Sequence, residues 1–268
     1  MLFVLPEAFT LVLRPSFALT ATLFCMEFAS VGRFYSPALL PCFLSSFIAS
    51  SLSHGLGVHA EIYMLTEAFS LTLSNSWQYL ILAVLVSLLG ILMCTVFHKA
   101  EHWAAHHLPN PFVRIAVGGA LITVMTLLVG DHRFNGAGME MALKAVGGSA
   151  DWYSFLLKML FTAVTLGAGF KGGEIVPTFC IGATFGCVLG GLLGLDAGMA
   201  AAMGLIGLFC AATNAPLASI MLSVEMFGGT NLHLFAVITV ISFVLSGKYG
   251  LYASQILRYE KEDAIGKG

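Results

Sequence analysis

The run from Trp77 to Val96 constrains this chain more than any other feature of its sequence. It is predominantly apolar and carries no charged side chain. An α-helix of about 20 residues rises roughly 30 Å, which matches the hydrocarbon core of a bilayer. Inside that core every backbone N–H and C=O group needs an internal partner, and a helix provides one. The sequence therefore predicts a membrane-spanning helix here, with a polar extension that Pro109 and Pro111 terminate.

The composition of the chain agrees with a membrane environment. Of 268 residues, 58% are hydrophobic and 10% are charged, whereas soluble domains have about 45–50% apolar and about 25% charged residues. The net charge is −2 without a basic cluster, so the phosphate contacts of nucleic-acid binding are not expected. The six cysteines show neither metal-site spacing nor a secreted disulfide pattern, which favours buried hydrophobic roles. We expect lipid, and no nucleic acid, as the partner.

Further apolar stretches indicate more helices, several of them too short to span a bilayer. Short apolar segments interrupted by Gly and Pro are typical of discontinuous transporter helices, because irregular backbone at membrane depth is tolerated where it lines a cavity or is buried in protein. We predict an all-α, polytopic membrane protein with short, tilted and broken helices. The stretches are Phe17–Val31, Pro37–Leu52, Ile115–Val129, Phe155–Leu166, Ile175–Leu195, Ala197–Ala212, Ala215–Phe227 and Leu232–Leu245.

Small residues recur within these stretches. Gly182, Gly186 and Gly190 repeat at four-residue spacing. In lipid, small side chains let two helix backbones approach closely. We interpret these glycines as helix-packing residues.

A short internal repeat places one carboxylate in each of two apolar segments. The segment FALTATLFCMEF resembles APLASIMLSVEMF, and each has a glutamate near its end, Glu27 and Glu225 respectively. Internal pseudo-symmetry is common in transporters. Because an unpaired carboxylate in lipid is costly, we expect these two to cap helices or to be paired at an interface rather than to carry protons.

A glycine-rich turn at Gly167–Pro177 opens directly into an uncharged helix. Pro177 suits the first turn of a helix. The free N–H groups of a helix start, here about Gly173 to Val176, and the positive end of the helix dipole together favour a bound anion. An anion held by backbone groups is bound weakly enough to leave, as conduction requires. A tight turn whose glycines serve packing alone explains the same residues, and local physics leaves both interpretations open.

Glu174 lies at this expected helix start. Its carboxylate repels a nearby anion unless it is protonated, turned away or paired with Lys171. A glutamate at a helix start is also an ordinary cap. We expect a capping or ion-pairing role in preference to proton transfer.

Three histidines, His98, His102 and His106, recur at four-residue spacing and so share one helix face. They suit a metal site or the histidine boxes of a membrane oxidase. No second histidine cluster with carboxylates accompanies them, and polar residues at a helix end near the membrane interface explain them as well. We expect no metal, no cofactor and no enzymatic activity.

Several blocks, in order along the chain, resemble the CLC family of chloride channels and proton-coupled anion transporters. The segment GAGFKGGEIVPTFCIGATFG, Gly167–Gly186, is similar to the family's GxFxP-type motif and the helix after it. The blocks that agree with it are the Gly32–His59 region, the N-G-A-G turn at Asn135–Gly138 and NAPLASIMLSVEMFGG at Asn214–Gly229. The segment SGKYGLYASQIL, Ser246–Leu257, resembles the final family helix.

The resemblance implies transport of an inorganic anion by a channel or an anion/proton antiporter. The anion site would use the backbone N–H groups of Gly173, Glu174, Ile175 and Val176, with the hydroxyl of Tyr252 donating from the other side. The GGE form of the motif is closest to the fluoride-exporting bacterial branch, but Val176 stands where that branch commonly has Thr, so chloride and fluoride both stay open. Protons as a second substrate, a homodimer and a multi-pass location in the bacterial inner membrane are also implied.

The chain departs from the family in its first part. No GSGIP-, GREGP- or GREGT-like segment occurs, so the family's first anion-binding helix ends and its gating glutamate are missing. Phe28 stands where proton-coupled members often carry a second glutamate. We predict an atypical amino-terminal segment at 1–16, a partial CLC-like domain at 17–257, which is the second half of an inverted repeat, and a short charged tail at 258–268. The alternative is a truncated or split-gene fragment that conducts only with a partner chain supplying the first half.

Overall fold

The computed structural model describes residues 17–28, 30–31, 36–57, 63, 65, 67–72, 75–170, 172–252 and 255–257. The segments predicted at 1–16 and 258–268 lie outside the described residues. The described residues form the α-helices α1 (Ala18–Phe28), α2 (Leu39–Gly55), α3 (Ser76–His107), α4 (Pro111–Val129), α5 (Met139–Val146), α6 (Ser154–Gly167), α7 (Ile175–Leu193), α8 (Ala197–Thr213), α9 (Pro216–Phe227) and α10 (Leu232–Ser246). A 3-10 turn, Ser36–Ala38, precedes α2, and two short strands, β1 (Ser30–Val31) and β2 (Ile256–Leu257), pair in parallel.

The prediction of an all-α fold is confirmed, and each apolar stretch contains a helix. The observed helix bounds differ from the predicted ones where capping residues determine the helix start. Helix α4 begins at Pro111 rather than Ile115, because the side chain of Asn110 accepts a hydrogen bond from the N–H of Phe112 at 3.0 Å and proline is favoured in the first turn.

Helix α5 was not among the predicted stretches. Its charged residues, Glu140 and Lys144, interrupt any apolar run and are exposed, while Met141, Ala142 and Ala145 are buried. The signal is a helical period of apolar residues in a short segment. No uncharged run marks this helix in the sequence.

Three of the described helices, α3, α4 and α7, are long and apolar enough to cross a membrane. They differ in their surroundings. In the most apolar part of α7, 67% of the residues are buried inside the protein, against 50% in α3 and 11% in α4. Helix α7 is therefore central, whereas α4 presents its apolar surface outward.

The glycines of α7 pack against α8, and this is the most extensive contact between two helices. A Cβ atom on Gly182 would lie 2.5 Å from the carbonyl oxygen of Gly204, and one on Gly186 would collide with the carbonyl of Ala200. Helix α8 is buried from Gly198 to Thr213. The packing interpretation of these glycines is confirmed, since no larger residue fits at this crossing.

The two repeated segments, α1 and α9, pack on each other and close each other's helix starts. The carboxylate of Glu27, near the end of α1, accepts hydrogen bonds from the backbone N–H groups of Leu217 and Ala218 at 3.0 and 2.8 Å. The carboxylate of Glu225 in α9 accepts two such bonds from the start of α1, both of 3.0 Å. The capping role expected for both glutamates is confirmed.

The final helix expected within Ser246–Leu257 is absent from the described part of that segment. The N–H of Leu251 donates instead to the carbonyl of Ala212 at 2.8 Å, and the side chain of Gln255 donates to the carbonyl of Thr213 at 2.7 Å. The segment continues into β2, which pairs with β1. The backbone N–H of Leu251, the side chain of Gln255 and strand β2 are thus bonded to the end of α8 and to β1, and not along a helix of their own.

Candidate functional site

The start of α7 has backbone donors without acceptors. Gly172 and Gly173 are exposed, Ile175 begins the helix, and Pro177 in its first turn has no N–H group. No hydrogen bond joins the N–H groups of Ile175 and Val176 to another described residue. Together with the positive end of the helix dipole, these donors form an arrangement suited to an anion.

The side chain of Glu174 does not cap this helix. Glu174 occupies the N-cap position in a right-handed helical conformation, φ −84° and ψ −18°, and makes no capping hydrogen bond. A capping side chain usually needs an extended backbone at that position to reach the next N–H groups. The capping role expected for Glu174 is therefore wrong, and its proposed partner, Lys171, lies outside the described residues.

Helix α3 contacts both the first turn of α7 and the segment that carries Tyr252. The hydroxyl of Thr178, one turn into α7, contacts the sulfur of Met93 at 3.9 Å. The ring Nε2 of His98 lies 2.9 Å from the carbonyl oxygen of Leu251, the residue before Tyr252. Five residues of an α-helix rise about 7.5 Å, so Met93 and His98 connect the two sites over a short section of α3.

His98 has a different role from the one considered in the sequence. Because a carbonyl oxygen only accepts hydrogen bonds, Nε2 of His98 is the donor to Leu251. His102 and His106 are exposed. Within the described residues no three metal-ligating side chains are placed to hold a metal ion. His98 instead fixes the backbone that carries Tyr252, a role that no sequence spacing signals.

The hydroxyl of Tyr252 is a buried polar group without a partner. Its oxygen is inaccessible to solvent and has no hydrogen bond to a described residue. The ring packs edge-on against Phe28, with centroids 4.4 Å apart. From Phe28 a series of ring contacts runs through Phe24 and Phe209 to Phe179 on α7. A buried donor of this kind usually has an acceptor, and a bound anion would supply one.

The glycine-rich turn before α7 combines two functions along its length. A Cβ atom on Gly167 would lie 3.1 Å from the carbonyl of Ala100 in α3, and one on Gly169 would lie 3.1 Å from the guanidinium of Arg114 in α4. Gly172, in contrast, has open space around its Cα. The first glycines of the turn therefore serve packing, and Gly172 keeps the approach to the helix start open.

A cavity of about 440 Å³ adjoins this turn. Gly172, Gly173 and Pro177 line one side, and Lys158 of α6 and the Asn135–Gly136 part of the N-G-A-G turn line the other. Lys158 was not singled out in the sequence, although a lone lysine in an apolar helix is a signal of function.

Known proteins resemble this chain along most of its length. The profile of the family described as voltage gated chloride channel matches residues 17–247. A chloride/fluoride channel protein of Pseudomonas syringae pv. tomato is 32% identical over 249 residues, covering 91% of this chain and 55% of that protein. An H(+)/Cl(−) exchange transporter of Yersinia pestis bv. Antiqua is 25% identical over 203 residues, covering 70% of this chain and 42% of that protein.

Solved structures give the same result. The crystal structure of a CLC-type fluoride/proton antiporter superposes with a TM-score of 0.85 at 30% identity, covering 89% of this chain and 61% of that chain. A slow cyanobacterial Cl−/H+ antiporter shares the fold, with a TM-score of 0.65 at 21% identity over 85% of this chain and 57% of that chain. The chain spans about half the length of the curated relatives it matches. It belongs to the voltage gated chloride channel family, the CLC family that its motifs resemble.

Proposed function

We propose that this chain takes part in transmembrane transport of a small inorganic anion, chloride or fluoride, and holds that anion at the start of α7. The observation that carries the proposal is that the N–H groups of Ile175 and Val176 and the hydroxyl of Tyr252 have no hydrogen-bond partner among the described residues, while α3 contacts both segments. The names of the relatives, a chloride/fluoride channel and proton-coupled antiporters, support the choice of ion.

The geometry suits release as well as binding. Backbone N–H groups and a hydroxyl replace part of the hydration shell of an anion without placing a full positive charge on it. A site built from such donors binds a small anion weakly, so that the ion exchanges with neighbouring positions. Gly173 and Glu174, at the exposed edge of the turn, complete the proposed set of backbone donors.

The surroundings of Tyr252 favour anion over proton movement through this part of the protein. Its ring packs on Phe28, the position where proton-coupled members often carry a glutamate. Glu27, the neighbouring carboxylate, is engaged with the start of α9. We propose that any proton coupling uses carboxylates other than Glu27.

We further propose a homodimer embedded in the bacterial inner membrane. Helix α2 supports this, because its outward residues Leu40, Ile48 and Leu52 are 66%, 63% and 62% exposed, while Ser46 and Ser50 face the protein. Cross-linking in native membranes through cysteines introduced at Ile48 tests the dimer. A cross-linked product of twice the monomer mass is expected. Absence of this product, both at Ile48 and with cysteines at Leu40 and Leu52, contradicts the proposal.

The transport proposal is tested with purified protein in two assays. Fluoride and chloride efflux from liposomes measures transport, and isothermal titration calorimetry in detergent with sodium fluoride and sodium chloride measures binding. Tyr252→Phe removes one donor, and a hydrogen bond to a charged group is worth about 1.5–3 kcal/mol, so binding is expected to weaken roughly ten- to a hundredfold.

The matched control is Tyr249→Phe, three residues earlier on an exposed ring, and it should leave binding unchanged. Equal effects of the two substitutions would contradict the role of Tyr252. Absence of flux together with absence of binding by the unaltered protein would overturn the proposed function.

A further inference from the structure

Lys158 is a buried cation without a carboxylate partner. Its side chain is 1% exposed, and its Nζ donates hydrogen bonds to the carbonyl oxygens of Phe134 and Gly136 at 3.1 and 2.6 Å. No carboxylate of the described residues pairs with it. Carbonyl groups satisfy donors but carry no charge, so the ammonium charge inside this membrane protein lacks a counter-ion.

The cavity beside Lys158 has the composition of an anion site. None of its lining residues is acidic, and Lys158 is the cation among those described. An ammonium group has three N–H donors, of which the two carbonyls use two. Asn135, Thr162 and Thr165 also line the cavity and bring further polar groups to it. Its volume of about 440 Å³ accommodates a small anion with several water molecules, each taking about 30 Å³.

The cavity also adjoins the start of α7, because Gly172, Gly173 and Pro177 form one of its walls. An anion beside Lys158 would therefore lie next to the proposed Ile175–Tyr252 site, and Gly173 would border both positions. We infer that this cavity is a second anion position, in which a small inorganic anion serves as the exchangeable counter-ion of Lys158. The inference deepens the proposed function, since the two positions follow one another along the glycine-rich turn.

Bromide is a suitable probe because its anomalous scattering locates it in crystals. Crystals of the unaltered protein soaked in sodium bromide should show a peak within hydrogen-bonding distance of Nζ of Lys158. Lys158→Met should abolish that peak and leave a peak at the start of α7. Lys158→Arg, which retains the charge, should keep both, and the matched control Lys144→Met, at an exposed lysine of α5, should also keep both.

The outcomes separate this inference from the proposed function. A peak at the start of α7 without one at Lys158 overturns the inference and leaves the proposed function standing. A peak at Lys158 without one at α7 supports the inference and contradicts the proposed anion site.

A solution measurement covers the case in which Lys158→Met does not fold. Asn135→Asp places a carboxylate in the cavity wall, keeps the size of the side chain and retains the oxygen that accepts from Thr126. Chloride titration should then show severalfold weaker binding, because like charges repel and the carboxylate can take the place of the anion beside Lys158, while Asn110→Asp, at an exposed residue outside the cavity, should match the unaltered protein. Unchanged chloride affinity in Asn135→Asp overturns the inference.

Discussion

Three helix starts in this protein meet the same physical problem and solve it in two ways. At the starts of α1 and α9, backbone N–H groups donate to carboxylates of the same chain, as Leu19 and Thr20 do to Glu225. At the start of α7, the N–H groups of Ile175 and Val176 have no such acceptor among the described residues. The first two starts are permanently closed by an anion, and the third is not.

Two physical requirements decide which acceptor suits a helix start. Buried backbone donors are costly without an acceptor, and the positive end of a helix dipole favours a negative one. The reciprocal contacts of α1 and α9 show that a carboxylate satisfies both requirements in this fold. We propose that a free halide meets them at α7, and unlike a side chain it can leave.

The largest effect should come from opening a closed helix start. Glu27→Ala leaves two backbone donors at the start of α9 without an acceptor, each worth about 1–3 kcal/mol. We expect a clear fall in the midpoint of thermal unfolding in detergent, with Glu27→Gln intermediate. Glu101→Ala, at an exposed glutamate of α3, should change stability by less than about 0.5 kcal/mol.

Proton flux gives a second criterion for the same glutamate. In protein that remains folded, Glu27→Gln should not abolish proton movement, because the carboxylate is structural. Abolished proton flux with intact folding would mean that Glu27 carries protons, and the comparison between closed and open helix starts would fail.

A smaller effect is expected at the open helix start. Glu174→Gln removes a negative charge without changing the size of the side chain, and two like charges at about 4 Å repel by roughly 1–4 kcal/mol in surroundings between water and a protein surface. Fluoride and chloride should therefore bind several-fold more tightly in calorimetric titrations. Weaker binding would show that the Glu174 carboxylate supports the anion site rather than opposing it.

The smallest effect concerns a carboxylate at an exposed loop. Asp131 accepts hydrogen bonds from the backbone N–H and the guanidinium of Arg133, and these contacts hold the pKa of Asp131 below its ordinary value. A carboxylate with a lowered pKa contributes stability above its unfolded pKa of about 3.9, and that stability is lost as the pH falls through the folded value.

The unaltered protein should therefore lose slightly more stability than Asp131→Asn when the pH is lowered from 5 to about 3. Thermal unfolding at each pH measures the difference. Parallel pH profiles for the two proteins would show that the contact with Arg133 contributes nothing.

The helices were predictable because their signal is local. The uncharged run that is long enough to span a bilayer predicts α3, and the prolines after it predict its end. The glycines at four-residue spacing predict close helix packing at α7. Helix α5 was not predicted because Glu140 and Lys144 interrupt its apolar residues. The ordering of the final segment was not predictable, since hydrogen bonds to Ala212 and Thr213, about 40 residues earlier in sequence, replace those of a helix.

The candidate site was predictable in part. The glycine-rich turn marks a helix start whose donors are accessible, and the family resemblance points to Tyr252. The roles of His98 and Lys158 depend on contacts with Leu251 and with the Phe134–Gly136 turn, which only the folded chain creates. The capping alternative for Glu174 was wrong because a cap depends on backbone conformation as well as on residue type, and the ion-pairing alternative stays a prediction.

The central claim is that the start of α7 is an anion site, whereas the starts of α1 and α9 are structural. Replacing a single backbone amide by an ester tests it directly, because this change deletes one N–H group and retains every side chain. An ester at Ile175 should weaken chloride and fluoride binding in calorimetric titrations, with little change in thermal stability. An ester at Leu217, whose N–H donates to Glu27, should lower stability and leave anion binding intact. If the unaltered protein binds chloride and fluoride and the Ile175 ester binds them equally well, the start of α7 is not the anion site.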